Sequence, residues 1–328
     1  MRRRQFIALF GGAAAGSFAA AAPALAQRPD KVPRVGILTP AQNGATPVLE
    51  ALRKGLADFG YVDGKTIQLD FRFAKGNIDA LRVLAAELAQ IPVDLIVTDA
   101  TPAVRAAMEA TRTIPIVMGA AADPVLLGFV ASIRRPGGNV TGMTIRAESL
   151  SGKRLQLLKQ ACPGIANVCV LMNPLSPSNP GYLRVTREAA ETLGIRIATL
   201  AAGTPEELRA LNAADLGRSD ALVVHADGMF WNQRATILAL AQAAGRPAIY
   251  PEREYADDGG LMAYGPNIPE LFRRAAGYVD RILRGAKPGD LPIDEPERFD
   301  FVVNVRAARA LGVAISPDFL SAANEVIE

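Results

Sequence analysis

From Pro33 onward, the chain alternates short apolar runs with longer amphipathic stretches. The apolar runs contain many β-branched residues, which is typical of buried strands, and the amphipathic stretches repeat apolar positions at helical spacing. In the first part of the chain, the pattern predicts strands at 35–38, 66–72, 95–98 and 114–118, and helices at 47–59, 79–90 and 102–110. Strands that alternate with helices predict an α/β fold, in which helices cover both faces of a parallel sheet.

A break at residues 136–139 (PGGN) separates this part from a second round of the same alternation. The second round predicts helices at 149–161, 182–193, 205–212 and 232–244, and strands at 168–172, 195–199, 221–224 and 248–249. Two successive α/β units of similar size predict two lobes. A strand at 261–264, a helix at 268–284 and a strand at 301–303 remain, and they either extend the second lobe or cross back to the first.

The N-terminus has the features of an export signal. Arg3 and Arg4 precede a weakly apolar stretch of Gly and Ala, which ends in small residues at the two positions that a signal peptidase reads. We expect residues 1–26 to be a signal peptide of the twin-arginine (Tat) type and the mature chain to begin near Gln27. A membrane anchor is the weaker alternative, because Gly and Ala dominate the run and Pro23 closes it. No Cys follows the run, so we expect an exported periplasmic protein that is neither lipid-anchored nor membrane-embedded.

Composition narrows the possible functions. The 328 residues are 50% hydrophobic and 21% charged, which is ample for a folded two-lobed protein. The formal charge is +3, and three of the positive charges lie in the first four residues. The mature chain is therefore near neutral and has no basic cluster, which argues against a nucleic acid partner.

Several kinds of catalytic site are also absent from the sequence. The single histidine, His225, and the two cysteines are too few for most zinc sites, and no dinucleotide, nucleophile-elbow or zincin motif is present. No acid–base pair stands out, so we expect a binding protein without a metal or a cofactor, and not an enzyme. Whether Cys162 and Cys169 form a disulfide stays open.

Ligands of open parallel sheets bind beyond the carboxyl ends of the strands, where helix N-termini point their N–H groups outward. We therefore expect the ligand-binding residues in the loops that follow the strands. The candidates are Thr39, Asn43, Thr98, Asp99, Thr101, Ala120, Asp123, Asn173, Asn179, Asp227 and Tyr250.

Two of these loops suggest specific chemistry. Thr101 is expected to be an N-cap followed by Pro102, and such a helix start binds a carboxylate or phosphate unless it is merely an ordinary capped helix. Asp227 lies close to Trp231 in the sequence, and this combination suits a ligand with an ammonium group and an apolar or aromatic body. The alternative for the second loop is a surface loop whose aromatic residues cover the core. His225 is expected to be structural.

Five short segments are more specific than the general pattern: FGYVDGK at 59–65, DPV at 123–125, RPGGNVTG at 135–142, GGLMAYG at 259–265 and ILRGAKP at 282–288. Through them the chain resembles the ABC transporter substrate-binding proteins of the tryptophan/tyrosine-binding type, and the similarity extends over residues 32–328. The resemblance implies a two-lobed type I periplasmic-binding fold with a hinge of three crossing strands, near 141–143, 264–266 and 301–304. It assigns 27–142 with 266–300 to the N-terminal lobe and 143–265 with 301–328 to the C-terminal lobe.

The resemblance also implies a function. The protein would be the periplasmic solute-binding component of an ABC importer, and it would close about its hinge on a small amino-acid-like, often aromatic, ligand for an inner-membrane permease. Thr101, Asn173 and Asp227 match positions that bind ligand in the family. Asp99 stands where relatives commonly carry Gly, and a carboxylate there repels a ligand carboxylate or prefers a cationic group. The alternatives are a periplasmic sensor that presents its closed form to a membrane receptor and an exported α/β enzyme.

Overall fold

The structure is a computed structural model that describes residues 32–41, 46–145 and 147–328. The expected signal peptide and Asn43 lie outside these residues. In the part of the chain that the structure describes, no helix has both the length and the apolar character that crossing a membrane requires.

The first sheet consists, within the described residues, of five parallel strands in the order β2-β1-β3-β4-β5. The elements of this part are β1 (Arg34–Thr39), α1 (Pro47–Asp58), β2 (Gln68–Phe73), α2 (Ala80–Gln90), β3 (Leu95–Asp99), α3 (Ala100–Ala110), β4 (Ile116–Ala121) and β5 (Val140–Thr144). Helices α2 and α3 cover one face, where their apolar side chains pack against the sheet in one buried cluster. The alternation predicted from the sequence is therefore present, with β5 as an additional edge strand.

The second sheet has seven strands among the described residues, in the order β12-β11-β10-β9-β8-β6-β7. Its part of the chain contains α4 (Ala147–Ala161), β6 (Asn167–Met172), α5 (Asn179–Leu193), β7 (Arg196–Ala201), α6 (Pro205–Ala210), β8 (Ala221–Val224), α7 (Gly228–Asn232), α8 (Arg234–Ala243), β9 (Ala248–Tyr250), α9 (Arg253–Asp257), β10 (Met262–Pro266), α10 (Ile268–Leu283), β11 (Phe299–Asn304), α11 (Val305–Ala310), α12 (Pro317–Ser321) and β12 (Glu325–Ile327). All neighbouring strands are parallel except β10 and β11, which are antiparallel.

The antiparallel pair arises because the chain leaves the second sheet after β10 and returns from the other side in β11. Between them, α10 packs on the uncovered face of the first sheet, where Leu271 and Phe272 join the buried cluster around Leu49 and Leu52 of α1. The chain passes between the sheets three times: after β5, after β10 and before β11. We call the first sheet with α1, α2, α3 and α10 the first lobe, and the second sheet with the remaining helices the second lobe.

One of these crossings requires a glycine. A Cβ atom added to Gly265 in β10 would lie 1.7 Å from the carbonyl oxygen of Pro251, which follows β9. No side chain fits such a close approach of two backbones. The crossing is thus packed directly against the end of the neighbouring strand.

Candidate ligand-binding site

A cavity lies between the two lobes at the carboxyl ends of their strands. The space between protein atoms there is about 670 Å³, a volume that includes open solvent. The lining residues are Pro40, Val48, Asp99, Ala100, Thr101, Pro102, Ala120, Ile145 and Ile268 on the side of the first lobe, and Ser176, Ser178, Tyr182, Ala226, Asp227, Gly228, Trp231, Asn232 and Glu252 on the second. A mainly apolar wall with a few polar groups is typical of small-molecule sites.

The two lobes touch each other around the cavity. The Oγ atom of Ser178 lies 3.5 Å from Oγ1 of Thr101, and both side chains are buried. A Cβ atom on Gly228 would be 3.3 Å from the Cβ atom of Ala100, so this glycine allows the backbones to approach. The lobes therefore enclose the cavity from both sides.

Helix α3 begins at Ala100, two residues before the start predicted from the sequence, and the prediction that Thr101 is its N-cap is wrong. The hydroxyl of Thr101 instead accepts a hydrogen bond from the backbone N–H of Ala122 at 3.0 Å, which ties α3 to the loop after β4. Ala100 has a φ of 66°, a left-handed conformation that costs energy for a residue with a Cβ atom. This strained residue lies in the cavity wall.

Asp99 occupies the N-cap position of α3, but its carboxylate makes no capping hydrogen bond. It accepts a hydrogen bond from the hydroxyl of Thr39 at 3.0 Å instead. Burial raises the pKa of Asp99 to about 6, and the Thr39 hydrogen bond opposes this only in part. Asp99 makes no ion pair with any Lys or Arg of the described residues, and its hydrogen-bond partner among them is the neutral Thr39.

Asp227 lines the opposite wall and is at the same time the N-cap of α7. Its Oδ1 atom accepts from the backbone N–H groups of Met229 at 2.9 Å and Phe230 at 3.3 Å, and its Oδ2 atom accepts from Asn173 at 3.1 Å. Burial raises the pKa of Asp227, while these hydrogen bonds lower it. Both oxygens are thus already engaged, although Oδ2 retains capacity for a further donor.

Glu252, just after β9, is the third carboxyl group in the wall, and sequence reasoning missed it in favour of Tyr250. Its side chain is buried, and its Oε2 atom has no hydrogen-bond partner among the described residues. Burial raises the pKa of Glu252 to about 8, with the charge of Arg154 acting in the opposite direction. The sequence feature that could have identified Glu252 is its position after a strand end and Pro251. A buried acceptor without a donor is costly unless a ligand supplies the donor.

Arg154 of α4 lies behind this wall and is also buried. Its Nε atom donates to the backbone carbonyl of Tyr264 in β10 at 2.7 Å, while Nη1 and Nη2 have no hydrogen-bond partner among the described residues. The guanidinium interacts electrostatically with Glu252 and Tyr182. It therefore connects the acidic wall to the second crossing between the lobes.

Trp231 supplies an aromatic surface in the same wall. The guanidinium of Arg234 lies over its ring, 5.3 Å from the centroid, and forms an ion pair with Asp258 at 2.6 Å. Tyr182 of α5, another lining residue that the sequence did not single out, is buried and packs edge-on against His225 with ring centroids 5.7 Å apart. The indole and the phenol are therefore held in place by their neighbours.

His225 belongs to a buried layer behind the cavity. Its Nδ1 atom lies 3.0 Å from Oδ1 of Asn179, and its Nε2 atom lies 3.2 Å from Oγ1 of Thr186. Burial, together with the charge of Arg154, lowers the pKa of His225 to about 3. A neutral imidazole with both nitrogens in hydrogen bonds is a structural group, and Asn179 supports it without lining the cavity.

The other residues predicted for the site lie in different places. Thr39 and Asn173 support Asp99 and Asp227, and the side chain of Thr98 is buried within the first sheet. Asp123 accepts hydrogen bonds from Val125 and Leu126 in an adjacent groove. Tyr250 stacks on Tyr255 in the core, with ring centroids 4.7 Å apart. The cavity therefore brings together Asp99, Thr101, Ala120 and Asp227 of the predicted set.

Cys162 and Cys169 are free thiols. Among the described residues, no group of three or more His, Cys, Asp or Glu side chains is arranged to hold a metal ion.

Comparison with known proteins identifies the family. The sequence profile described as ABC transporter substrate binding protein matches residues 37–327. A tyrosine-binding protein of Clostridioides difficile strain R20291 is 28% identical over 270 residues, which are 81% of this chain and 77% of that protein.

Two solved structures have the same fold. An ABC domain from Streptococcus pneumonia in complex with L-Trp has a TM-score of 0.84 at 24% identity and covers 90% of this chain and 100% of its own. A conserved domain protein from Vibrio cholerae has a TM-score of 0.83 at 28% identity with the same coverage. The type I periplasmic-binding fold implied by the resemblance is confirmed, and the chain belongs to the ABC transporter substrate-binding protein family, which consists of ligand-binding proteins and not of enzymes.

Proposed function

We propose that this protein is the periplasmic solute-binding component of an ABC importer and that it delivers a small amino-acid-like ligand to an inner-membrane permease. The observation that carries the proposal is the enclosed cavity between two lobes, with unsatisfied polar groups beside an aromatic side chain. The L-Trp complex of a similar fold and the tyrosine-binding relative support a ligand of this class.

The groups in the wall suggest how such a ligand is held. Glu252 and Asp227 accept hydrogen bonds from the ammonium group of the ligand, and charge-assisted hydrogen bonds of this kind are about twice as strong as neutral ones. Trp231 contacts the apolar part of the ligand. The uncapped N–H groups at the start of α3, next to Thr101, suit a neutral acceptor, because the carboxylate of Asp99 stands at the same helix start.

We also propose that the lobes move about the three crossings, with residues 27–142 and 266–300 in one lobe and 143–265 and 301–328 in the other. The cavity wall comes from both lobes, so a ligand makes its full set of contacts only when the lobes are together. Contacts that exist only in the closed state shift the population toward that state.

Binding is tested on protein that has been unfolded and refolded to remove any carried ligand. The thermal midpoint is measured with each of the twenty amino acids and with simple amines, and binding at a hundredfold excess over Kd stabilises the native state by about 2.7 kcal/mol. Trp231 is the only Trp of the chain and lines the cavity, so its fluorescence reports binding of any ligand that lacks an indole. No response to any amino acid or amine would contradict the proposal.

The transport role is tested in cells. Deletion of the gene is expected to abolish uptake of the labelled ligand, and a plasmid copy is expected to restore it, whereas Glu252→Gln is not. Unchanged uptake in the deletion strain, with binding intact in vitro, would favour the sensor that presents its closed form to a membrane receptor.

A further inference from the structure

Three carboxyl groups line a single cavity from two opposite walls. Asp99 extends from the end of β3 in the first lobe, and Asp227 and Glu252 belong to the second lobe. The charge of Asp227 raises the pKa of Glu252, and both groups lie in the second lobe, across the cavity from Asp99 in the first. The cavity therefore contains two separate acidic positions.

Among the residues that the structure describes, Arg154 is the cation that acts on these positions. Arg154 interacts with Glu252, and Arg234 near Trp231 is already paired with Asp258. The hydrogen-bond partner of Asp99 among the described residues is the neutral Thr39. With all three carboxyl groups ionised, the negative charges in the wall exceed the single guanidinium that the described part of the chain places near them, and buried charges without partners are strongly unfavourable.

A second observation indicates that a ligand supplies the missing donors. Glu252 is 7% exposed, lines the cavity, and its Oε2 atom has no hydrogen-bond partner in the described residues. Asp99 stands at a helix start, yet its carboxylate does not bond to the helix N–H groups that this position normally serves. Both groups are thus available for donors from within the cavity.

The wall of the cavity that holds the two acidic positions is mainly apolar, with Val48, Ile145 and Trp231 among its members. Such a wall fits a methylene chain or another apolar body and does not stabilise a third charge. The geometry points to a ligand with two cationic groups joined by a short apolar body, a diamine or a diamino acid. Glu252 with Asp227 binds one cationic group and Asp99 binds the other.

This inference rests on the proposed function and specifies its ligand class. It is tested by calorimetry on the full chain at low and moderate salt. The dicationic probes are putrescine, L-ornithine and L-lysine, and the comparison ligands are L-norleucine, which lacks the second ammonium of L-lysine, L-Trp and L-Tyr. We expect at least one dicationic probe to bind at least tenfold more tightly than norleucine and the aromatic amino acids. We also expect its binding to weaken as the salt concentration rises.

The variant Asp99→Asn keeps the shape of the side chain and removes its charge. This variant should weaken binding of the dicationic probe at least tenfold and change the affinity for norleucine by less than threefold. Asp99→Ser should have the same effects on both affinities, and it replaces Asp99→Asn in the test if that variant does not fold. Asp123→Asn removes a carboxylate from the adjacent groove and is the matched control, with all affinities unchanged.

The outcomes separate the two proposals. Tight binding of L-Trp, L-Tyr or norleucine with no preference for dications, or affinities unaffected by Asp99→Asn, would overturn the inference and leave the proposed function standing. Failure of every amino acid and amine to bind would overturn both.

Discussion

Replacement of Glu252 by Gln should change how the stability of the empty protein depends on pH. Burial raises the pKa of this carboxyl from its ordinary value of 4.5 to about 8. Between these values, the folded protein holds a proton that the unfolded chain has released, so the free energy of unfolding falls as pH rises through this window. At about 1.4 kcal/mol per pKa unit, the loss attributable to Glu252 is roughly 5 kcal/mol between pH 4.5 and 8.

Glutamine cannot titrate, so the difference in unfolding free energy between Glu252→Gln and the wild type should grow by that amount toward high pH. Urea unfolding at a series of pH values measures it, followed by Trp231 fluorescence and by circular dichroism. Titratable groups that do not interact with Glu252 affect both proteins alike and cancel in the difference. Glu297→Gln, at a side chain that is 79% exposed, is the control and should follow the wild type. Parallel curves for Glu252→Gln and the wild type would refute the reasoning.

Two further predictions concern the hinge and the buried histidine. Gly265→Ala should lower the unfolding free energy by about 2–4 kcal/mol, because the new methyl group would lie 1.7 Å from the carbonyl oxygen of Pro251. Gly277→Ala in α10, where the nearest atom is a Phe59 ring carbon at 3.6 Å, should be neutral or stabilising by about 1 kcal/mol; equal urea midpoints for the two variants would contradict this. Burial lowers the pKa of His225 to about 3, below its unfolded value, so its contribution to stability is lost as pH falls from 6.5 to 3. The chain has one histidine, so its NMR signals can be followed directly, and a midpoint near 6.5 in the folded protein would contradict the prediction.

Most of the elements could be predicted from the sequence because apolar periodicity reflects burial. Strands β1 to β4 of the first sheet and the long helix α10 were expected within a few residues of their observed bounds. Strand β5 was not found by pattern, since its sequence VTGMT has little apolar character and contains Gly142 at a φ of 121°. The pattern left open whether α10 returns to the first lobe, because periodicity indicates that a helix has an apolar face and not which surface covers it; the assignment of 266–300 to this lobe came from the family resemblance.

The site was predictable only as a region. The rule that ligands bind at strand ends led to Asp99, Thr101 and Asp227, which do line one cavity. It gave no means of choosing between Tyr250 and Glu252, two residues apart, because burial of the tyrosine in the core depends on its stacking with Tyr255. The role of Arg154, distant in sequence from every strand end of the cavity, depends on how α4 packs against β10.

The position of α10 also constrains how the protein is made. Helix α10 covers an apolar face of the first sheet. This helix ends at Leu283, which follows most of the second lobe along the chain. A ribosome therefore cannot deliver a complete first lobe until almost the whole protein has been synthesised. In nascent chains that stop before Ile268, the first lobe should remain sensitive to protease. In chains long enough for Leu283 to have left the ribosome, this lobe should be protected from protease. The first lobe is thus completed only after most of the second has been synthesised, and the second is completed only after α10 of the first has been made. Neither lobe can therefore fold as an independent domain.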